Sequence, residues 1–241
     1  MKAIVFVGVL FHLFINSFAS GDEIQNVSKA NIFYEQGKYD KAMAIYQMVA
    51  EKSSYSGKIY FNLGNTYYRL GDLGKAIYYY RKAFELRPRD GDVEYNLMHA
   101  RKKRPDNLGE RDLSIIDKFF PFSNNEVLIL VTCLSFLFWT SVIILLFKEL
   151  NWLKNIRNVS LLVLLLFSIP CSLRIMQGKN FGVITKNTVK IYSSIGRDSV
   201  VLFTLEEGAE FTLLDKTKSD WAQIRLADGK KGWVSKNDII F

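Results

Sequence analysis

Two apolar runs separated by a short basic connector constrain this chain more than any other feature. From Glu126 to Phe147 it reads EVLILVTCLSFLFWTSVIILLF, with no charge between Glu126 and Lys148. A helix needs roughly 20 apolar residues to cross ~30 Å of hydrocarbon. The second run, Val159 to Met176, is shorter and carries Pro170 and Arg174 near its end, where a long cationic side chain can reach the headgroups. The alternative for each run is a buried core helix. Read as spans, residues 126–147 and 159–176 are joined by a connector over 148–158 and form an antiparallel hairpin. The segments on its two sides then lie on one face of one membrane.

The N-terminus says which face. Lys2 precedes the apolar run AIVFVGVLFHLFI, and small residues follow at Ser17 and Ala19. That order reads as a secretory signal peptide over residues 1–19. Left uncut, it would be a further anchor with residues 22–120 still exported. Lys148, Lys154 and Arg157 against Glu149 alone suit a connector on the cytoplasmic side. Arg111, Lys118 and the run Arg101–Arg104 argue the other way, although the run lies too far from the span for the charge rule to act strongly.

The formal net charge of +8 is spread out. Residues 20–105 hold 15 basic and 10 acidic side chains, and residues 179–241 hold 10 and 8. This balance gives no nucleic-acid footprint, which would gather cations on one face. The two cysteines, Cys133 and Cys171, both fall in the apolar runs, so the exported parts fold without disulfides. They either meet at similar depth in the hairpin or serve as small apolar residues in lipid.

Between residues 22 and 105 the chain repeats itself. A 34-residue shift lays Ala30 on Gly64, Phe33 on Tyr67, Gly37 on Gly71, Ala42 on Ala76 and Tyr46 on Tyr80. From Gly57 to Asp90, Tyr60, Leu63, Gly64, Tyr67, Ala76, Tyr80, Ala83 and Pro88 follow the tetratricopeptide repeat pattern. Small residues permit close helix crossing, aromatic ones fill the gaps, and Pro88 stops the second helix. A degenerate copy precedes it from Glu23 to Ser54, and a capping helix starts at Gly91. The expectation is an all-α solenoid of five helices.

The first helix of each repeat lines a concave face. By position that face holds Asn31, Tyr34, Phe61, Asn62, Asn65, Tyr68, Arg69 and Asn96. An asparagine ladder suits an extended peptide backbone, since each amide both donates and accepts. Asn31 and Asn62 are spaced as in repeats that clamp a C-terminal carboxylate, but Val27 and Asp92 stand where such clamps need lysine. The competing reading is that these asparagines serve helix packing and the array is a spacer. Residues 106–125 then form a juxtamembrane hinge. Its amphipathic turn (Leu113, Ile116, Phe119, Phe120) lies either in the membrane interface or on the repeats.

After Gly178 the period becomes two. Short runs rich in β-branched and aromatic residues span 182–185, 188–192, 200–205, 210–215, 221–226 and 232–235, with Asp228-Gly229 as a two-residue hairpin signal. A small all-β barrel over residues 179–241 is expected, folding apart from the repeats. The Glu207-Gly208 turn, Trp221 with Ile224, Asp228-Gly229 and Gly232-Trp233-Val234 resemble the bacterial SH3 family. That resemblance implies a cell-wall ligand, with peptidoglycan as the candidate for a face made by Tyr192, Trp221 and Trp233. The other reading makes both tryptophans packing residues.

No catalytic constellation is found. The two histidines are His12 and His99, too few with the cysteines for an ordinary zinc site. Neither a G-x-S-x-G elbow nor a phosphate loop occurs. Gly71-Asp72-Leu73-Gly74 reads as a helix connector. The expectation is a non-enzyme without cofactor or metal.

Signal peptide, tetratricopeptide repeats, two-span hairpin and C-terminal SH3-like barrel, in that order, resemble the BatE type of the bacterial Bat aerotolerance proteins. The resemblance implies a scaffold or adaptor in the bacterial inner membrane, with both soluble parts on the extracytoplasmic side. Its implied partners are other Bat membrane proteins with von Willebrand A domains, the lipid bilayer and peptidoglycan, and no nucleic acid.

Overall fold

The computed structural model describes residues 21–52, 56–104, 122–147, 150–178, 180–196 and 198–241, with backbone alone for 21–22, 124–125 and 168–178. The expected signal peptide, the amphipathic turn over 113–120 and the Cys171 side chain lie outside those residues. The chain forms two compact units, residues 1–54 and 55–241.

The first unit is a pair of helices, α1 (Gly21–Glu35) and α2 (Tyr39–Lys52). The chain leaves α1 through Gly37 at φ 73°, whose N–H donates to the Tyr34 carbonyl at 3.0 Å. The second unit repeats the device. There α3 (Gly57–Leu70) ends at Gly71 with φ 84°, and the Asp72 N–H returns to the Tyr67 carbonyl at 3.0 Å. Glycine takes this left-handed conformation without the Cβ penalty, which is why both copies carry it 34 residues apart. Asp72 then caps α4 (Leu73–Leu86) by accepting the Lys75 N–H at 2.9 Å. Helices α3 and α4 cross closely because Gly64 lies under the Tyr80 ring; a Cβ there would sit 2.5 Å from Tyr80 Cδ1. Helix α5 (Gly91–Lys102) follows, capped by Asp90 and buried along Val93, Leu97 and Ala100.

Helix α6 (Asn124–Leu145) opens with a reciprocal cap. The Glu126 N–H donates to Ser123 Oγ at 3.2 Å, and the Ser123 N–H donates to Glu126 Oε2 at 2.8 Å. Arg89, just beyond α4, ion-pairs with Glu126 and stacks over Phe122 at 5.8 Å. From Glu126 to Leu145 the helix is long and apolar enough to cross a membrane, the one described helix that meets that test. It packs against α7 (Asn151–Gly178), which takes in most of the connector expected over 148–158, with Lys154 and Arg157 in its first two turns. The buried side chains of this pair include the small Ser141 and Ser160, whereas Leu128, Ile129, Trp139 and Phe147 stay exposed. Small residues let helix backbones approach, and an outward apolar girdle is what lipid would cover.

Among the described residues seven strands follow: β1 (Phe181–Ile184), β2 (Val189–Tyr192), β3 (Val201–Leu205), β4 (Glu210–Asp215), β5 (Trp221–Arg225), β6 (Lys231–Ser235) and β7 (Ile239–Ile240). They form one sheet in the order β3-β2-β6-β5-β4-β1-β7, antiparallel at every pairing. Alternation along β5 and β6 buries Ala222, Ile224 and Val234 with Phe211, Ile191 and Leu205 in a single core. The last strand, β7, goes beyond the expected set, being too short to show a period. The Asp228-Gly229 hairpin is also wider than expected. The Leu226 N–H meets the Lys230 carbonyl at 2.8 Å, leaving three loop residues, with Gly229 at φ 87°. That is a tight turn followed by a left-handed residue, the three-residue alternative to a two-residue hairpin.

The barrel packs directly against the second repeat, within one compact unit. Glu207 Oε1 accepts the Gly74 N–H at 2.8 Å, placing a carboxylate on the N-terminus of α4. Helix and barrel touch so closely that a Cβ on Gly74 would lie 2.4 Å from the Ile184 carbonyl oxygen. Phe181 stacks on Tyr78, with centroids 5.4 Å apart and planes 13° from parallel. Burial, with a smaller push from Glu85, raises the Tyr78 hydroxyl to about 12. At the centre, Arg101 donates twice to Glu210, Nε to Oε1 at 2.6 Å and Nη2 to Oε2 at 2.8 Å. Arg81 lies 3.8 Å from the same carboxylate and 5.5 Å over the Phe181 ring. Burial alone would raise the Glu210 carboxyl, but Arg101, then Arg81 and Arg104, outweigh it and hold it below the usual range.

Removing one member of a buried ion pair costs about 3–5 kcal/mol. Glu210→Gln should therefore lower denaturant stability at pH 7 by about that much. Because the folded carboxyl is held low, its contribution is full above the unfolded carboxylate range near ~4.3 and fades as pH falls through the folded value. The gap between wild type and variant should stay constant from about pH 6 to 8, start to narrow as pH drops through the unfolded value near ~4.3, and close only below the lower folded value.

Candidate functional site: the asparagine face and the aromatic sheet face

The two repeats place equivalent asparagines identically. Tyr46 on α2 donates its hydroxyl to Asn31 Oδ1 on α1 at 2.5 Å. Tyr80 on α4 donates to Asn65 Oδ1 on α3 at 2.8 Å. Asn65 Oδ1 also accepts from Asn96 Nδ2 at 3.1 Å, tying α3 to α5. Thus Asn31 and Asn65 spend an acceptor on helix packing, in line with one of the two sequence readings. In the first unit Tyr34 packs edge-on against Tyr39 at 5.3 Å. In the second, Phe61 packs against Tyr80 at 6.0 Å, Asn62 is half-buried and Arg69 is exposed.

Three residues on this surface escape the sequence reading. His99 packs between Tyr68 at 5.9 Å and Tyr95 at 6.0 Å, and Lys103 Nζ lies 4.6 Å over the Tyr68 ring. The signal is present as the i, i+4 spacing of Tyr95 and His99, followed by Lys103 one turn on. Reading the third repeat only as a cap hides it.

The barrel brings Tyr192, Trp221 and Trp233 together. Tyr192 lies opposite Trp233 across the β2–β6 pairing, and its ring meets Trp221 edge-on at 5.5 Å. All three are half-buried, on the sheet face away from Ile191, Ala222, Ile224 and Val234. They are therefore neither core residues nor freely projecting ones. Edge-to-face packing leaves part of each ring for a ligand. Among the described residues no group of three or more His, Cys, Asp or Glu is placed to hold a metal ion.

With that geometry established, family patterns match in three places. The tetratricopeptide repeat matches residues 57–90, a second TPR repeat pattern matches 30–71, and the bacterial SH3 domain matches 187–240. The chain carries tetratricopeptide repeats and a bacterial SH3 domain. No curated protein matches it. Among solved structures, the CopN-Scc3 complex is 18% identical over 36% of this chain and 52% of that one, with a TM-score of 0.34. A point mutant of MamA is 25% identical over 35% and 61%, with a TM-score of 0.33. The Yersinia enterocolitica type III secretion translocator chaperone SycD is 17% identical over 64% and 89%, with a TM-score of 0.34. The chain thus spans about half the length of the CopN-Scc3 chain that it matches.

The shared tyrosine–asparagine bond gives a direct test. Tyr80→Phe removes one donor and leaves Asn96 as the remaining partner of Asn65, so about 0.5–1.5 kcal/mol should be lost in denaturant unfolding. Asn65→Leu should cost more, because it removes the oxygen that accepts from both Tyr80 and Asn96.

Proposed function

We propose that this protein is a non-catalytic, membrane-anchored scaffold of the bacterial envelope. Its repeats hold partner proteins outside the inner membrane, in a Bat-type aerotolerance or stress complex whose other members carry von Willebrand A domains. The observation that carries this reading is the surface shared by α3 and α5. Barrel docking engages Gly74, Ile77, Tyr78, Arg81 and Arg101, while Arg69, Tyr95 and His99 remain exposed. A repeat whose other side is already braced presents a rigid face, which lowers the ordering cost of binding. The apolar girdle of α6 supports the anchor, with α7 as the second leg of the hairpin.

A second reading has its own support in the joined aromatic face of Tyr192, Trp221 and Trp233. On this reading the barrel holds cell wall and the repeats act as spacer. Co-purification of the full chain from membranes separates the two. Loss of partners with Asn65→Ala plus Tyr68→Ala, while Trp221→Ala plus Trp233→Ala retains them, is expected for the scaffold. Loss of sacculus sedimentation with the tryptophan pair alone would favour the wall-binding reading.

Membrane topology is tested separately. Reporters fused after Phe241 and inserted near Tyr55 should both be active outside the cytosol. A cytosolic signal from the first with an external signal from the second would rule out the hairpin.

A further inference from the structure

The cluster at the C-terminal ends of α3 and α5 has a chemical preference. The last two turns of α3, Leu63 to Leu70, contain Arg69 and no carboxylate; the end of α5 and the two residues after it, Asn96 to Arg104, contain Arg101, Lys102, Lys103 and Arg104 and no carboxylate. Arg101 is consumed by Glu210. Lys102, Lys103 and Arg69 are exposed, as are Tyr95 and His99. Cations at a helix C-terminus ordinarily answer the macrodipole. Lys103 departs from that role, since its ammonium lies 4.6 Å over the Tyr68 ring of the neighbouring helix α3.

We infer that this cluster of rings and cations, Tyr68, Tyr95, His99, Lys102 and Lys103, anchors an acidic protein segment that alternates carboxylates with apolar side chains. The inference rests on the repeat face being a partner surface and adds the partner's chemistry. Carboxylates meet Lys102 and Lys103, while apolar side chains lie on the Tyr95–His99 rings. Asn96, one turn before His99, borders the path of the backbone. The ring centroids of Tyr68 and Tyr95 lie 5.9 and 6.0 Å from that of His99. A single-stranded nucleic acid, whose bases stack on exposed rings, is the competing occupant that the experiment separates.

The test uses the full chain in nanodiscs of zwitterionic lipid, with empty nanodiscs as blank. The probes are fluorescein-labelled peptides of alternating glutamate and leucine, of alternating lysine and leucine, and of alternating glutamate and serine. The glutamate–leucine peptide should bind at least about tenfold more tightly than either of the others, and less tightly as salt rises. Lys103→Glu, an exposed change that spares the core, should weaken it by about tenfold or more and shift preference toward the lysine peptide. Unchanged affinity in Lys103→Glu, equal binding of the lysine peptide, or tighter binding of a single-stranded oligonucleotide would each overturn the inference. If acidic peptides fail while Asn65→Ala plus Tyr68→Ala still strips partners, the charge preference falls and the scaffold reading stands.

Discussion

The paired hydrogen bonds between Arg101 and Glu210 hold the second unit in one arrangement. A carboxylate and a guanidinium, each nearly sealed from water, stabilise each other only at one distance and angle. Charges so placed contribute less to net stability than to position, because every misdocked arrangement leaves one of them buried alone. The stacking of Phe181 on Tyr78 and the seat of Glu207 on the helix N-terminus add contact around that point. Together they make the barrel a brace for the repeat rather than a second body on a tether.

That brace changes what each part can do. A solenoid this short has little core of its own, since stacked repeats gain stability from their neighbours. Here the barrel covers part of α4 and the end of α5, supplying a neighbour of another fold. The turn that carries the family resemblance, Glu207-Gly208, is the foot that meets the helix. A Cβ on Gly208 would sit 2.8 Å from Ile77 Cδ1.

How much of this is legible beforehand varies from element to element. The repeat landmarks are legible because the close crossing at Gly64 and the left-handed exits at Gly37 and Gly71 each admit very few residue types. The barrel strands are legible from their alternation, and so is the grouping of Tyr192, Trp221 and Trp233, which fall on outward positions. The asparagine face is legible as a set of positions but not in its chemistry. Nothing local distinguishes an amide facing solvent from one accepting a tyrosine hydroxyl fifteen residues away. The Tyr68–His99–Lys103 contact is likewise hidden, because it joins two helices whose offset depends on packing.

The sequence by itself determined the parts: their periods, their order, the apolar length of α6 and the absence of charge in it after Glu126. These are properties of neighbouring residues, dictated by backbone sterics and by the cost of leaving apolar surface in water. Only the tertiary structure decided that Glu210 meets Arg101 across 109 residues and that the barrel leans on α4. An ion pair has no period and leaves no local trace. Its two halves look like ordinary surface charges until the fold removes the water between them.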